Sequence, residues 1–258
     1  MMKKCWFYSV LTLLFTSAPL AWVQADEHFS VKVENNTECV VLLHGMGRTK
    51  RSFQKMESSL LVQGYQVWNS PYRSSSGNIS GLAESAIDPA LDYCRAADVT
   101  AIHFVTHSLG GIMVRQYLQD HEILELDKVV MIAPPNHGSE VADVLSGTIV
   151  YKWILGAAAL ELGTQEEGLI AQLNEVPGTI GIIAGNESWN FIFSWIIPGP
   201  DDGKVSVKST ELKEMADKIE LPESHTFILR SESVIQQTIY FLKNGCFEKS
   251  RRLAQPPN

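Results

Sequence analysis

The run Ala101-Ile102-His103-Phe104-Val105-Thr106-His107-Ser108-Leu109-Gly110-Gly111 constrains this chain more than any other feature. An apolar, strand-forming stretch ends at a serine. Two glycines and a helical pattern (Ile112, Met113, Tyr117, Leu118) follow at once. Strand, sharp turn and helix therefore meet at Ser108. A serine on such a turn projects its hydroxyl past the sheet edge, where a histidine can reach it. The N–H of the next residue, at the helix N-terminus, points at any negative charge that forms beside it. The pattern is G-x-S-x-G with Thr106 in the first glycine position and Gly110 in the second. The first position must be small because strand and helix backbones pass close there, and threonine is branched. Serine is also an ordinary helix cap, so the elbow alone leaves the role of Ser108 open.

A serine nucleophile needs a base, a group that orients the base, and donors for the oxyanion. The stretch Cys39–Leu43 runs into His44-Gly45-Met46-Gly47, where glycines let the backbone turn beneath a ligand. The Met46 N–H and the Leu109 N–H can together form a two-donor hole. His44, set before a glycine turn, is expected to bond backbone rather than move protons. The orienting acid is expected in Pro200-Asp201-Asp202-Gly203-Lys204-Val205-Ser206-Val207. Asp202, immediately before a glycine, is the choice and Asp201 the alternative; a plain Asp-Gly turn accounts for the same residues without chemistry. Of the seven histidines, only His225 follows Asp202, which the chain order Ser, Asp, His requires. His107 is expected to point away from the serine, His103 to pack in the strand, His121 to be a solvated helix end, and His137 to line the site without titrating in the reaction.

The rest of the chain reads as strands alternating with helices. Val31–Glu34 suits an edge strand. Tyr65–Trp68 suits a short strand, and Cys39–Leu43, Ala101–Val105, Lys128–Ala133 and Thr179–Ala184 suit buried strands. Arg51–Val62, Ile79–Cys94 and Ser231–Leu242 carry helical patterns, the second expected to shift or kink at Pro89. This alternation predicts an α/β domain with a mostly parallel central sheet flanked by helices. Two apolar stretches break the rhythm, Leu145–Leu162 and Trp189–Ile197. Each alone suits ordinary core; together, at the strand ends where such sheets bind ligands, they suit a small cap-like insertion or an acyl-chain pocket.

The N-terminus has its own logic. Lys3 and Lys4, the apolar Trp6–Phe15 and the small residues before Ala25 predict a signal peptide over residues 1–25. A single domain would then span 26–250, and Arg251–Asn258 would form a disordered tail. An uncleaved anchor is the second reading of the leader. Export, to the periplasm or outside the cell, would leave Cys39, Cys94 and Cys246; Cys39–Cys94 is the favoured pair if one disulfide forms, and three inert thiols are an equal alternative. With a formal charge of −8 on 258 residues, a nucleic-acid partner has no electrostatic support.

Val41–Gly47, Thr106–Gly111, Ala133-Pro134-Pro135-Asn136-His137-Gly138-Ser139, Asp202–Val207 and Ser224-His225-Thr226 together resemble the α/β-hydrolase superfamily, specifically bacterial lipases and lipase-like esterases. The resemblance spans about Val40 to the last helix. It implies the α/β-hydrolase fold and serine-dependent hydrolysis of a carboxylic ester, with a small-molecule or lipid substrate and no cofactor. Some such lipases bind calcium near the acid and base loops, but no cluster of acidic ligands here supports a metal. The same triad also serves thioesterases, amidases and acyltransferases, and a non-catalytic binding or chaperone domain is a rival of a different class. Trp189–Ile197 could also make a transient contact with a lipid surface.

Overall fold

The computed structural model describes residues 37–146 and 157–249, all within one compact unit. The expected signal peptide, the expected strand Val31–Glu34, residues 147–156 of the apolar insertion and the tail Arg251–Asn258 lie outside the described residues.

Six strands form one sheet: β1 (Glu38–Leu43), β2 (Gln66–Asn69), β3 (Ala101–His107), β4 (Leu126–Ile132), β5 (Thr179–Gly185) and β6 (Asp217–Leu221). The order is β2-β1-β3-β4-β5-β6, and every neighbouring pair is parallel. Parallel strands need crossovers, which helices supply: α1 (Gln54–Val62), α2 (Ile79–Ala96), α3 (Leu109–Asp120), α4 (Glu140–Ser146), α5 (Phe191–Ile196) and α6 (Glu232–Asn244).

The side-chain period of two sorts each strand between two cores. Cys39, Val41 and Leu43 of β1 face α2 and α3, with Phe104, Met131 and Ile182 beside them. Val40 and Leu42 face α1 and α6, with Val105, Val130 and Ile183. Both faces of β1 are thus dry, which is why its sequence is a continuous apolar run rather than an alternating one. Helix α2 runs unbroken through Pro89. The Asn78 side chain accepts from the Gly81 N–H to cap its start. A disulfide joins Cys39 on β1 to Cys94 on α2, with Cα atoms 5.7 Å apart, and Cys246 is free and exposed.

Two elements differ from the sequence reading. The first turn of the predicted helix Arg51–Val62 is a separate 3-10 turn, Lys50–Phe53, before α1 begins. The sixth strand, β6, has no counterpart in the sequence reading. Its sequence Asp-Lys-Ile-Glu-Leu holds only two apolar residues, because β6 is an edge strand and only one side of it is covered. Lys218 pairs there with Glu211 and Glu220 at 2.8 and 3.2 Å.

The chain leaves β1 toward β2 on one side and returns to β3 on the other. The carboxyl ends of β1 and β3 therefore flank the point where the connections diverge, where open α/β sheets bind ligands.

Candidate active site

Ser108 joins β3 to α3 and has φ 53° and ψ −120°. A non-glycine residue in this region costs about 1–3 kcal/mol and persists only where its surroundings hold it. Here the Ser108 N–H donates to the Ile132 carbonyl at 3.0 Å, and the Gly111 N–H donates to the Ser108 carbonyl at 3.0 Å. Gly110 is demanded by contact. A Cβ there would lie 2.3 Å from the Leu43 carbonyl oxygen, because α3 starts hard against the end of β1. The unusual Thr106 is accommodated by Gly111, where a Cβ would come within 3.3 Å of the Thr106 Oγ1. That hydroxyl is buried without a hydrogen-bond partner.

The turn aims Ser108 at His225. The Ser108 Oγ lies 3.1 Å from His225 Nε2, and His225 Nδ1 lies 2.7 Å from Asp202 Oδ2. A carboxylate only accepts, so Nδ1 carries the proton and Nε2 is left to accept from the serine hydroxyl. Asp202 and His225 are nearly fully buried, at 2% and 4% exposure. Asp202 Oδ1 accepts the Lys204 and Val205 N–H groups at 3.0 and 2.9 Å, and the His225 N–H donates to the Asp202 carbonyl at 2.9 Å. Acid loop and histidine loop thereby position each other, although β6 lies between them in sequence. Asp201 faces elsewhere: its Oδ1 accepts the Ser194 hydroxyl at 2.9 Å and the Gly203 N–H at 2.7 Å.

The two proposed oxyanion donors come from adjacent strands. Leu43 pairs with Thr106 in the β1–β3 register, so the loops bearing Met46 and Leu109 start side by side. Among the described residues the Met46 and Leu109 N–H groups have no acceptor in the protein. Ser74 Oγ accepts the Gly47 N–H at 2.9 Å and the Gly45 carbonyl accepts the Arg48 N–H at 3.2 Å, which hold the turn around Met46.

A cavity of about 200 Å³ opens on Ser108 and His225. Pro135, Val141, Ala142, Leu145, Leu162 and Phe193 form its apolar wall, so the described ends of both apolar stretches reach it. Arg48, Ser139 and Lys204 line it as well, residues the sequence reading did not single out. A larger, open hollow of about 900 Å³ lies between α1 and α6, lined by Lys55, Ser59 and Glu232 among others. No histidine is among the residues that line it.

The other histidines sort by environment. His44 is buried, stacked on Tyr72 with ring centroids 4.1 Å apart, and lies between the Gly45 and Tyr72 carbonyls at 3.0 and 3.1 Å. Burial lowers its pKa against the opposing pull of those carbonyls. His103 is fully buried on β3, and its Nδ1 accepts the Lys128 N–H at 3.2 Å. Two expectations need correction. His107 does not point away from the site: its ring lies 4.8 Å from the His225 ring, and it lines the same cavity. Neither His107 nitrogen meets a partner in hydrogen-bond geometry, although the His225 carbonyl lies close enough to act on the ring. Burial first, then the charges of His225, Arg48 and Lys204, depress its pKa well below 6.5. His137 is exposed and lines a neighbouring hollow with Glu140, Lys208 and Glu211 instead of the Ser108 cavity.

No protein-family model and no curated protein matches the sequence. Solved structures do match its fold. The mature lipase BlEst2 of Bacillus licheniformis superposes with a TM-score of 0.61 at 18% identity, covering 79% of this chain and 90% of that one. The esterase EaEST of Exiguobacterium antarcticum gives 0.57 at 14% identity, covering 80% and 92%. The phospholipase PlaB of Legionella pneumophila gives 0.56 at 19% identity, over 67% of this chain and 45% of that one. At these identities the likeness is one of architecture, and with the all-parallel sheet and its flanking helices it identifies this chain as a protein of the α/β-hydrolase fold.

Proposed function

We propose that the protein is a serine hydrolase of carboxylic esters, acting through Ser108, His225 and Asp202 and an acyl-enzyme. The observation that carries this reading is the unbroken hydrogen-bond chain from Ser108 Oγ through His225 to Asp202, at 3.1 and 2.7 Å, beside a cavity with an apolar wall. His225 Nε2 takes the hydroxyl proton as Ser108 attacks the ester carbonyl. Asp202 keeps the imidazole in the competent tautomer and stabilises its cation. The Met46 and Leu109 N–H groups stabilise the oxyanion. The C–O bond to the alcohol breaks as His225 returns the proton to the departing oxygen. Water then repeats the sequence on the acyl-enzyme, releasing the acid and regenerating the serine.

Two further elements belong to the proposal. The protein acts after export; the Cys39–Cys94 disulfide supports this, since such bonds persist in oxidising compartments. It also makes transient contact with a lipid surface through Trp189, Phe191, Ile192 and Trp195, which are 78%, 83%, 75% and 92% exposed around α5, while Phe193 between them lines the cavity. Co-sedimentation with liposomes tests that contact, and retention unaltered in a Trp195→Ser protein would count against it.

Hydrolysis of p-nitrophenyl esters from acetate to palmitate, with Ser108→Ala beside the wild type, tests the chemistry. Turnover lost in the variant, by several orders of magnitude, is the expected result. Equal turnover in both proteins would refute the assignment, as would a folded wild type that hydrolyses none of the esters.

A further inference from the structure

Two cations border the cavity that holds Ser108. Arg48 is half-buried, and Lys204 reaches solvent at the rim while the cavity wall still desolvates part of it. Among the described residues neither side chain has an ion pair or a hydrogen-bond partner, in a chain with an excess of acids. Both are presented by pinned backbone. The Lys204 N–H donates to Asp202 Oδ1 at 3.0 Å, and its carbonyl accepts the Ser139 hydroxyl at 2.9 Å. Arg48 closes the turn from Gly45. The two charges act on each other and on the pocket interior: Arg48 lowers the Lys204 pKa, second to desolvation, and both lower that of the buried His107. Asp202 is the carboxylate whose charge opposes these effects on Lys204, and it is itself occupied by His225 and two loop amides.

Two like charges held unpaired over one cavity are unfavourable until an anion enters between them. We propose that Arg48 and Lys204 form an anion subsite, and that the preferred substrate is an ester whose alcohol part carries a phosphate group. This inference rests on the ester-hydrolysis reading. The position follows from the chemistry of the site. The apolar wall of Val141, Ala142, Leu162 and Phe193 suits the acyl chain. Lys204 stands on the loop that orients His225, the residue that protonates the departing alcohol, so the subsite lies on the alcohol side. A guanidinium and an ammonium together match a multiply charged tetrahedral oxyanion better than a neutral headgroup. Hydrolysis leaves the phosphate untouched: the acyl C–O bond breaks, water supplies the oxygen of the acid, and the alcohol departs with its phosphate.

The test compares monomeric short-chain acyl esters of glycerol and of glycerol phosphate, with the same acyl group, on the mature protein. A parallel arm uses vesicles of a phosphate-bearing diacyl lipid against dispersed diacylglycerol. The readout is the ratio of kcat/KM, phosphate over neutral. The wild type is expected to favour the phosphate ester by at least about tenfold, and each of Arg48→Gln and Lys204→Gln to cut the ratio about tenfold, as expected for loss of one charge-assisted contact. Lys204→Arg is expected to restore most of the ratio. Preference among monomers assigns the subsite to a phosphorylated alcohol as such; preference on vesicles alone assigns it to a lipid headgroup. A wild-type ratio near one, or a ratio unmoved in both glutamine variants, overturns the subsite while leaving ester hydrolysis intact. Failure to hydrolyse any of the esters overturns the hydrolase reading and the subsite with it.

Discussion

Replacing Asp202 by asparagine separates orientation from packing at this site. The two carboxylate oxygens have different partners. Oδ1 accepts from two backbone amides, Lys204 and Val205, at 3.0 and 2.9 Å, and Oδ2 accepts from His225 Nδ1 at 2.7 Å. An asparagine in the same pose must keep its oxygen toward the amides. Turning its NH2 to face two N–H donors would leave buried donors unpaired at about 1–3 kcal/mol each. The NH2 therefore faces His225 Nδ1, which must become the unprotonated nitrogen. The proton moves to Nε2, the atom that has to accept from Ser108. The ring stays in place but in the wrong tautomer.

A wrong tautomer at a serine–histidine pair costs about 10⁴ in kcat, or roughly 5 kcal/mol of barrier. KM is expected to change little, because no contact to the ground-state substrate is removed. Steady-state hydrolysis of a p-nitrophenyl ester, with thermal melts to show that the variant is folded, measures both. The control is Asp201→Asn, whose carboxylate serves the Ser194 hydroxyl and the Gly203 N–H. That change is expected to act mainly on stability. A loss below tenfold in Asp202→Asn, or a larger loss of kcat in Asp201→Asn, would refute the reasoning from the paired geometry.

Three further outcomes follow from the same structure. Gly110→Ala should not fold to a stable protein, since its Cβ would lie 2.3 Å from the Leu43 carbonyl oxygen and neither backbone can retreat; a soluble variant melting within a few degrees of the wild type would contradict the contact. Breaking Cys39–Cys94 by double serine substitution opens a loop with a sequence separation of 55 and should cost about 4 kcal/mol in the chain-entropy account, read from urea midpoints; an unchanged midpoint would show that the bond constrains nothing. Burial holds the pKa of His107, and to a lesser degree those of His44 and His103, below 6.5 in the folded protein. The unfolded chain then binds more protons below that pH, so stability should be level above neutrality and fall as pH drops through 6.5, less steeply in His107→Phe; equal slopes for both proteins in denaturant titrations would exclude His107 as a source.

What the sequence discloses and what it hides divide along a physical line. The elbow is legible because its parts are neighbours in the chain, and the apolar runs of β1 and β5 are legible because burial on both faces disfavours polar residues. β6 is not legible for the opposite reason: an edge strand tolerates Asp217, Lys218 and Glu220, so nothing in its composition marks it. What His107 meets was not legible, because the His225 ring 4.8 Å from it comes from a loop distant in sequence. His137 was placed by its proximity to β4, yet the turn after Asn136 carries it to the neighbouring hollow.

Thr106 is the instructive case. By the elbow rule it weakens the match, since the position should be small. The space it fills is the space that Gly111 leaves, across the turn and five residues later, so the smallness required at one site has been moved to its spatial partner. Both residues are visible in the sequence, but their compensation exists only once β3 and α3 are packed. The same reasoning covers Arg48 and Lys204. Each looks like an ordinary turn residue in its own loop, and only the folding of β1 and the acid loop toward one cavity makes them a pair. Motif reading therefore finds the proposed nucleophile and its partners, whose types chemistry dictates, before it finds the residues proposed to choose the substrate, whose types would be dictated by a molecule the sequence does not contain.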